Sequence, residues 1–149
     1  MSQDAAIEDY KKALELEPDF PEAYFNIGIS QYKQNLFEKA IENYFTAYDF
    51  KIKKQEKPCI ENYIERFYDS LKGLFEQKKY KKIISFCNKI IGLGFKHEKI
   101  YNLKGAAEIM LEKFNEALRD CRKANKINPD FEPAKINLGI IQQKMKMSE

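Results

Sequence analysis

The chain has 149 residues, of which 44% are hydrophobic and 33% charged, a composition that excludes a disordered tail and a membrane span. Its formal net charge of +3 combines −6 in residues 1–50 with +7 in residues 51–100 and +2 in residues 101–149. A single histidine, His97, and three widely spaced cysteines exclude a multi-histidine metal site and a disulfide framework. We therefore expect no metal, no cofactor and no enzymatic activity, in a cytoplasmic or other reducing intracellular compartment.

Eight helices are predicted along the chain. In order, they cover residues 4–17, 21–34, 37–53, 59–77, 80–91, 98–111, 114–127 and 131–146. Pro18 and Pro129 each end a helix, because proline cannot continue one. Asp19 and Asp130 follow these prolines, and we expect their carboxylates to cap the next helix.

The predicted helices repeat with a fixed period. Ala6 and Ala40 are 34 residues apart, and so are Tyr10 and Tyr44. Other matches have an offset of 77 residues, which is two periods of 34 plus nine. The sequence therefore predicts a 34-residue repeat with one insertion of nine residues, at about 52–63.

This pattern resembles the tetratricopeptide repeat (TPR), a helix–turn–helix unit in which small residues such as Gly28 and Ala40 face aromatic ones such as Tyr24 and Phe37. The units are a half-unit 4–18, a unit 21–54, a degenerate unit 64–97, a unit 98–131 and a half-unit 132–146. The resemblance implies one all-α domain over 1–149, a right-handed solenoid of about eight antiparallel helices. First helices are then expected on its concave face.

The resemblance also implies where a partner binds, namely a concave groove formed by first-helix positions. The expected partner-binding residues are Phe25, Asn26, Ile29, Tyr32, Lys33, Tyr68, Asp69, Lys72, Phe75, Lys99, Asn102, Ile109, Ile136 and Asn137. Several of these side chains are apolar, which is typical of a binding surface. We expect a non-catalytic adaptor or scaffold that holds a peptide or helix of another protein. The alternative is that solenoid curvature buries these residues against neighbouring units.

Two other functions are compatible with a repeat of this kind. One is a structural subunit of a large multiprotein assembly, for example cytoskeletal or ciliary, held by its ends and outer face. The other is a co-chaperone that clamps a chaperone tail, which is disfavoured because Asp69 would repel the tail carboxylate and only Lys99 matches the clamp. Nucleic acid is also a disfavoured partner, since lysine outnumbers arginine 23 to 3.

The two half-units leave a further question open. Residues 4–18 match only the second helix of a unit, and residues 132–146 match only the first. Three explanations stay open: a longer repeat protein, a partner that caps the N-terminal half-unit, and head-to-tail self-association of chains.

Overall fold

The computed structural model describes residues 2–147. The helices in this range are α1 (Gln3–Leu16), α2 (Pro21–Lys33), α3 (Phe37–Lys53), α4 (Ile60–Glu76), α5 (Tyr80–Gly92), α6 (Glu98–Met110), α7 (Phe114–Ile127) and α8 (Glu132–Met147). This part of the chain contains no strand, and none of its helices is long and apolar enough to cross a membrane. Each predicted helix end lies within one residue of the observed end. The predicted fold class, an all-α helical repeat solenoid, is confirmed.

The chain divides into two compact units, the first ending at Gly73 and the second beginning at Leu74, within α4. The first unit carries 10 basic and 14 acidic side chains in its sequence, and the second carries 16 basic and 9 acidic ones. The first unit is therefore acidic and the second is basic.

The predicted aspartate caps are wrong. Helices α2 and α8 begin directly after Phe20 and Phe131, so neither Asp19 nor Asp130 stands at the N-cap. A proline opens α2, and its fixed backbone and missing N–H make a side-chain cap less necessary there. The Asp19 carboxylate instead lies 3.6 Å from Lys54 Nζ, beyond the end of α3.

Aromatic rings facing a small residue form the core of the first unit. Gly28 lies so close to the ring of Tyr44 that a Cβ at this glycine would be 2.6 Å from Tyr44 Cε1. Tyr44 is fully buried, and its ring centroid is 5.9 Å from that of Phe67. The Phe45 ring lies 4.7 Å from the same Phe67 ring. Because aromatic pairs at these separations add to the gain from burial, α2, α3 and α4 pack as one cluster.

The second unit fills the same repeat positions with other side chains. Gly105 is covered by the thiol of Cys121, which stands at the repeat position of Tyr44. Burial, with the nearby charges of Asp120 and Glu108, raises the pKa of Cys121 to about 12, so the thiol stays neutral. Fully buried aliphatic side chains complete this core: Ile83, Ile90, Ile100 and Ile141.

One pair of facing polar positions also differs between the units. In the first unit, Asn43 Nδ2 donates a hydrogen bond of 2.6 Å to Gln31 Oε1. Glu108 and Asp120 stand at the same repeat positions in the second unit and hydrogen-bond to each other. Burial, and then the bond and charge of Asp120, raise the pKa of Glu108 to about 8. Glu108 is therefore protonated at neutral pH and donates to Asp120, whose charge Lys104 balances at 3.1 Å.

The helices on either side of residues 54–59 are longer than their counterparts. Helix α3 has three residues more than α7, and α4 has four more than α6. The connection 54–59 is two residues longer than the connection 128–131. Together these differences account for nine extra residues, so the added length extends the end of α3, lengthens the connection and adds a turn at the start of α4.

Candidate protein-interaction site

A cleft of about 190 Å³ opens in the first unit between the start of α2, the end of α3 and the start of α4. We call it the unit 1 cleft; it is lined by Pro21, Glu22, Phe25, Asn26, Lys51, Cys59, Asn62 and Tyr63. Phe25 and Asn26 are predicted binding residues. Asn62 and Tyr63 belong to the additional turn of α4, so the inserted residues build one wall of the cleft.

The apolar part of the unit 1 cleft consists of aromatic rings. The Phe25 ring packs edge-on against Tyr63, with centroids 5.1 Å apart, and lies 5.4 Å from the Tyr44 ring. Burial, followed by the negative charges of Glu22 and Glu56, raises the pKa of Tyr63 to about 12. Its hydroxyl therefore remains a neutral hydrogen-bond donor at physiological pH.

The polar part of the unit 1 cleft combines an ion-pair cluster with two amides. Lys51 Nζ lies 3.5 Å from a carboxylate oxygen of Glu22 and 3.6 Å from one of Glu56. In the described part of the chain, the side chains of Asn26 and Asn62 make no hydrogen bond. Both amides line the opening, so their donor and acceptor atoms are accessible there.

The other predicted residues of α2 follow the unit 1 cleft along the same helix. Ile29 and Tyr32 are half-buried, and Lys33 is exposed. The Tyr32 ring centroid lies 5.7 Å from that of Phe37. The Tyr32 side chain thus packs against Phe37 and remains partly exposed.

The predicted residues of α4 form a local cluster. Lys72 Nζ lies 4.6 Å from the centre of the Tyr68 ring and 3.5 Å from a carboxylate oxygen of Asp69. The cation is thus held by a ring and a carboxylate of its own helix, which leaves little positive charge for an acidic partner.

The predicted residues of the second unit differ widely in exposure. Ile136 is 60% exposed, whereas Lys99, Ile109 and Phe75 are half-buried. Asn102 was expected to face a groove, but it is only 8% exposed because α8 packs against α6. Its Oδ1 accepts a hydrogen bond of 2.9 Å from Asn137 Nδ2, so Asn102 holds Asn137 in place.

Residues Lys51, Asn62 and Tyr63 were missed by the sequence reasoning. They lie at the end of one helix and in the added turn of the next, outside the positions that the repeat assigns to a groove. The signal that could have found them is the insertion itself, because the added residues extend the end of α3 and the start of α4. Within residues 2–147, no group of three His, Cys, Asp or Glu side chains is arranged to hold a metal.

The chain is similar to solved helical repeat proteins across most of its length. Residues 41 to the end of MamA from Desulfovibrio magneticus RS-1 match with a TM-score of 0.67 and 17% identity, covering 97% of this chain and 77% of that one. YrrB, described as a TPR protein with an unusual peptide-binding site, matches with a TM-score of 0.66 and 17% identity over 97% of this chain and 70% of its own.

A third similar structure is the first TPR of Spaghetti (RPAP3) bound to an HSP90 peptide. It has a TM-score of 0.63 and 23% identity, covering 85% of this chain and 94% of that one. The family model described as TPR repeat matches residues 2–35, which hold α1 and α2. The predicted resemblance is confirmed: the chain is a TPR-type repeat protein in fold.

Proposed function

We propose that this chain is a non-catalytic protein-interaction adaptor whose unit 1 cleft binds an extended peptide segment of a partner. The observation that carries the proposal is an open cleft with an aromatic floor and two unengaged amides, Asn26 and Asn62. The TPR fold is typically a non-catalytic interaction module, and two similar structures are described as peptide-binding. The proposed setting is a reducing intracellular compartment, since Cys59 is a free and exposed thiol.

The dimensions of the unit 1 cleft suit one side chain of the peptide. An aliphatic or aromatic side chain packed against Phe25 and Tyr63 gains about 1.5–3 kcal/mol from burial. The amides of Asn26 and Asn62 then bind the backbone on either side of that residue. The peptide does not need to pair with the edge of a β-sheet, because the two asparagine side chains supply both hydrogen-bond donors and acceptors.

Charge around the unit 1 cleft selects among peptides. Glu22 and Glu56 share the cation of Lys51, so this ion-pair cluster at the edge of the cleft holds two carboxylates for one ammonium group. A neutral or basic segment therefore suits the rim better than an acidic one. The same charge disfavours the acidic tail of a chaperone as the partner.

The test begins with a random peptide library displayed on phage and selected against the whole chain. Binding of the enriched peptides is then measured by isothermal titration calorimetry. The double variant Asn26→Ala/Asn62→Ala should bind them at least about fivefold more weakly, because each lost hydrogen bond costs about 0.5–1.5 kcal/mol.

Asn88→Ala is the matched control, since Asn88 is an exposed asparagine on α5, in the other unit. It should leave the affinity unchanged, and all variants should keep the helical circular dichroism of the wild type. Enriched peptides that bind the double variant as tightly as the wild type would place the site elsewhere and refute the proposal.

A further inference from the structure

Three glycines stand at the same position of the repeat. Gly28, Gly105 and Gly139 each occupy the eighth position of a first helix, on α2, α6 and α8. At the first two, the side chain at the eighth position of the following second helix covers the glycine. Tyr44 covers Gly28 so closely that an added Cβ would be 2.6 Å from its ring, and Cys121 Sγ would be 2.5 Å from one at Gly105.

Gly139 lacks such a cover. No heavy atom of the described chain outside its own helical neighbourhood lies within 4 Å of a Cβ built there. Helix α8 therefore has open space at Gly139. At the equivalent glycines, α2 and α6 are each packed against a second helix.

Helix α1 presents the matching side of this contact. Ala6, Tyr10 and Ala13 stand at the repeat positions that Ala40, Tyr44 and Ala47 fill in α3 and that Ala117, Cys121 and Ala124 fill in α7. The six residues of α3 and α7 are fully buried. The three of α1 are only half-buried. Helix α1 thus corresponds to the second helix of a repeat unit. The side of α1 that would pack against a first helix is still accessible.

We propose that chains associate head to tail, with α1 of one copy packed on α8 of another and the Tyr10 ring over Gly139. The contact repeats the pairing of Tyr44 with Gly28 between two molecules. The proposal does not depend on the unit 1 cleft, because neither Tyr10 nor Gly139 lines it.

The charges of the two helices are complementary. Helix α1 carries four acidic and two basic side chains, whereas α8 carries three basic and one acidic. The first unit as a whole is acidic and the second is basic. Opposite net charge steers α1 of one copy toward α8 of another and opposes the symmetric pairing of two α1 or two α8 helices.

An exposed apolar residue of α8 gains a partner in this arrangement. Ile136 stands at the repeat position of Phe25 and is 60% exposed. Phe25 packs against the Tyr44 ring of the following second helix, with centroids 5.4 Å apart. By the same register, the Tyr10 ring of the second copy lies beside Ile136 as well as over Gly139, so the contact covers the exposed Ile136 side chain.

The contact is heterologous, because the two surfaces that meet are different. Each added copy presents a new α1 or a new α8, so the product is a series of oligomers rather than one closed dimer.

Sedimentation velocity over a range of concentrations up to about 1 mM tests the proposal. The wild type should show a sedimentation coefficient that rises with concentration and falls with added salt. Gly139→Leu should reduce association at least tenfold, because its side chain occupies the place of the Tyr10 ring. The thermal midpoint of this variant should not fall, since leucine favours a helix more than glycine does.

Gly92→Leu is the matched control, because Gly92 is a helical glycine with equally open space around it. It should associate like the wild type. A mixture decides the direction of the contact: Gly139→Leu keeps a functional α1, and Tyr10→Ala keeps a functional α8. The two variants, each monomeric alone, should form a one-to-one dimer and nothing larger.

A wild type that stays monomeric throughout, or that associates regardless of Gly139→Leu, would overturn the proposal. So would a mixture of the two variants that shows no dimer.

Discussion

The two compact units share one repeat pattern and fill it with different chemistry. The first unit holds 13 of the 20 aromatic residues of the chain, and its glycine contact is made by a tyrosine ring. The second uses a cysteine at that position. Where the first unit has the neutral pair Gln31 and Asn43, the second has the acidic pair Glu108 and Asp120. The repeat thus fixes which positions meet, and the local neighbours decide which side chains are stable there.

Truncating the equivalent core residues gives the largest expected difference between the units. Tyr44→Ala removes a fully buried ring, and we expect the free energy of unfolding to fall by about 3–5 kcal/mol. Cys121→Ala removes one sulfur atom, for which we expect a loss of about 1 kcal/mol. Urea denaturation followed by circular dichroism measures both. Equal losses would show that the aromatic cluster gives the first unit no extra stability.

Adding one methyl group to each repeat glycine gives an intermediate effect. Gly28→Ala and Gly105→Ala force a methyl group into the neighbouring side chain, so we expect each to cost about 1–3 kcal/mol. Gly139→Ala has open space and should instead stabilise the monomer by up to about 1 kcal/mol. Thermal unfolding at low protein concentration measures whether each variant lowers or raises the stability of the monomer. A destabilising Gly139→Ala would mean that α8 is already covered there.

The acidic pair of the second unit gives a smaller effect that depends on pH. The pKa of Glu108 is raised from 4.5 to about 8 in the folded chain, so the folded state keeps a proton that the unfolded state releases. Its contribution to stability is therefore complete below about pH 4 and is lost as the pH rises to about 8.

Glu108→Gln should remove this pH dependence, because glutamine keeps a hydrogen-bond donor toward Asp120 without a proton to lose. We expect the variant to be more stable than the wild type by about 1–3 kcal/mol at high pH and nearly equal to it at low pH. Urea denaturation between these limits is the measurement. Glu112→Gln, an exposed neighbour in sequence, is the control. Parallel pH profiles for wild type and Glu108→Gln would contradict the burial of a protonated acid.

Much of the fold could be predicted because the repeat places small and large side chains at fixed positions, and these positions pack against each other. The repeated spacing of Gly28 and Tyr44 indicates two helices in contact, and Pro18 and Pro129 mark the ends of α1 and α7. What could not be predicted depends on neighbours. Asn102 is buried because α8 covers it, and Asp19 does not cap α2 because a proline already begins that helix.

The candidate site could be predicted only in part for the same reason. Phe25 and Asn26 occupy repeat positions that point toward a groove, so the register identified them. Asn62 and Tyr63 come from residues that the repeat does not contain. A periodic pattern cannot assign contacts to residues that interrupt it.

The four residues added to α4 have a consequence for helical phase. Four residues exceed one turn of 3.6 residues by only a small rotation, so a turn added at the start of a helix repeats the orientation of the turn below it. Tyr63 therefore stands above Phe67 on the same face, and both are buried. An insertion of two or five residues would have turned an apolar face toward water. An addition of four residues therefore lengthens α4 while the residues after it keep their orientation.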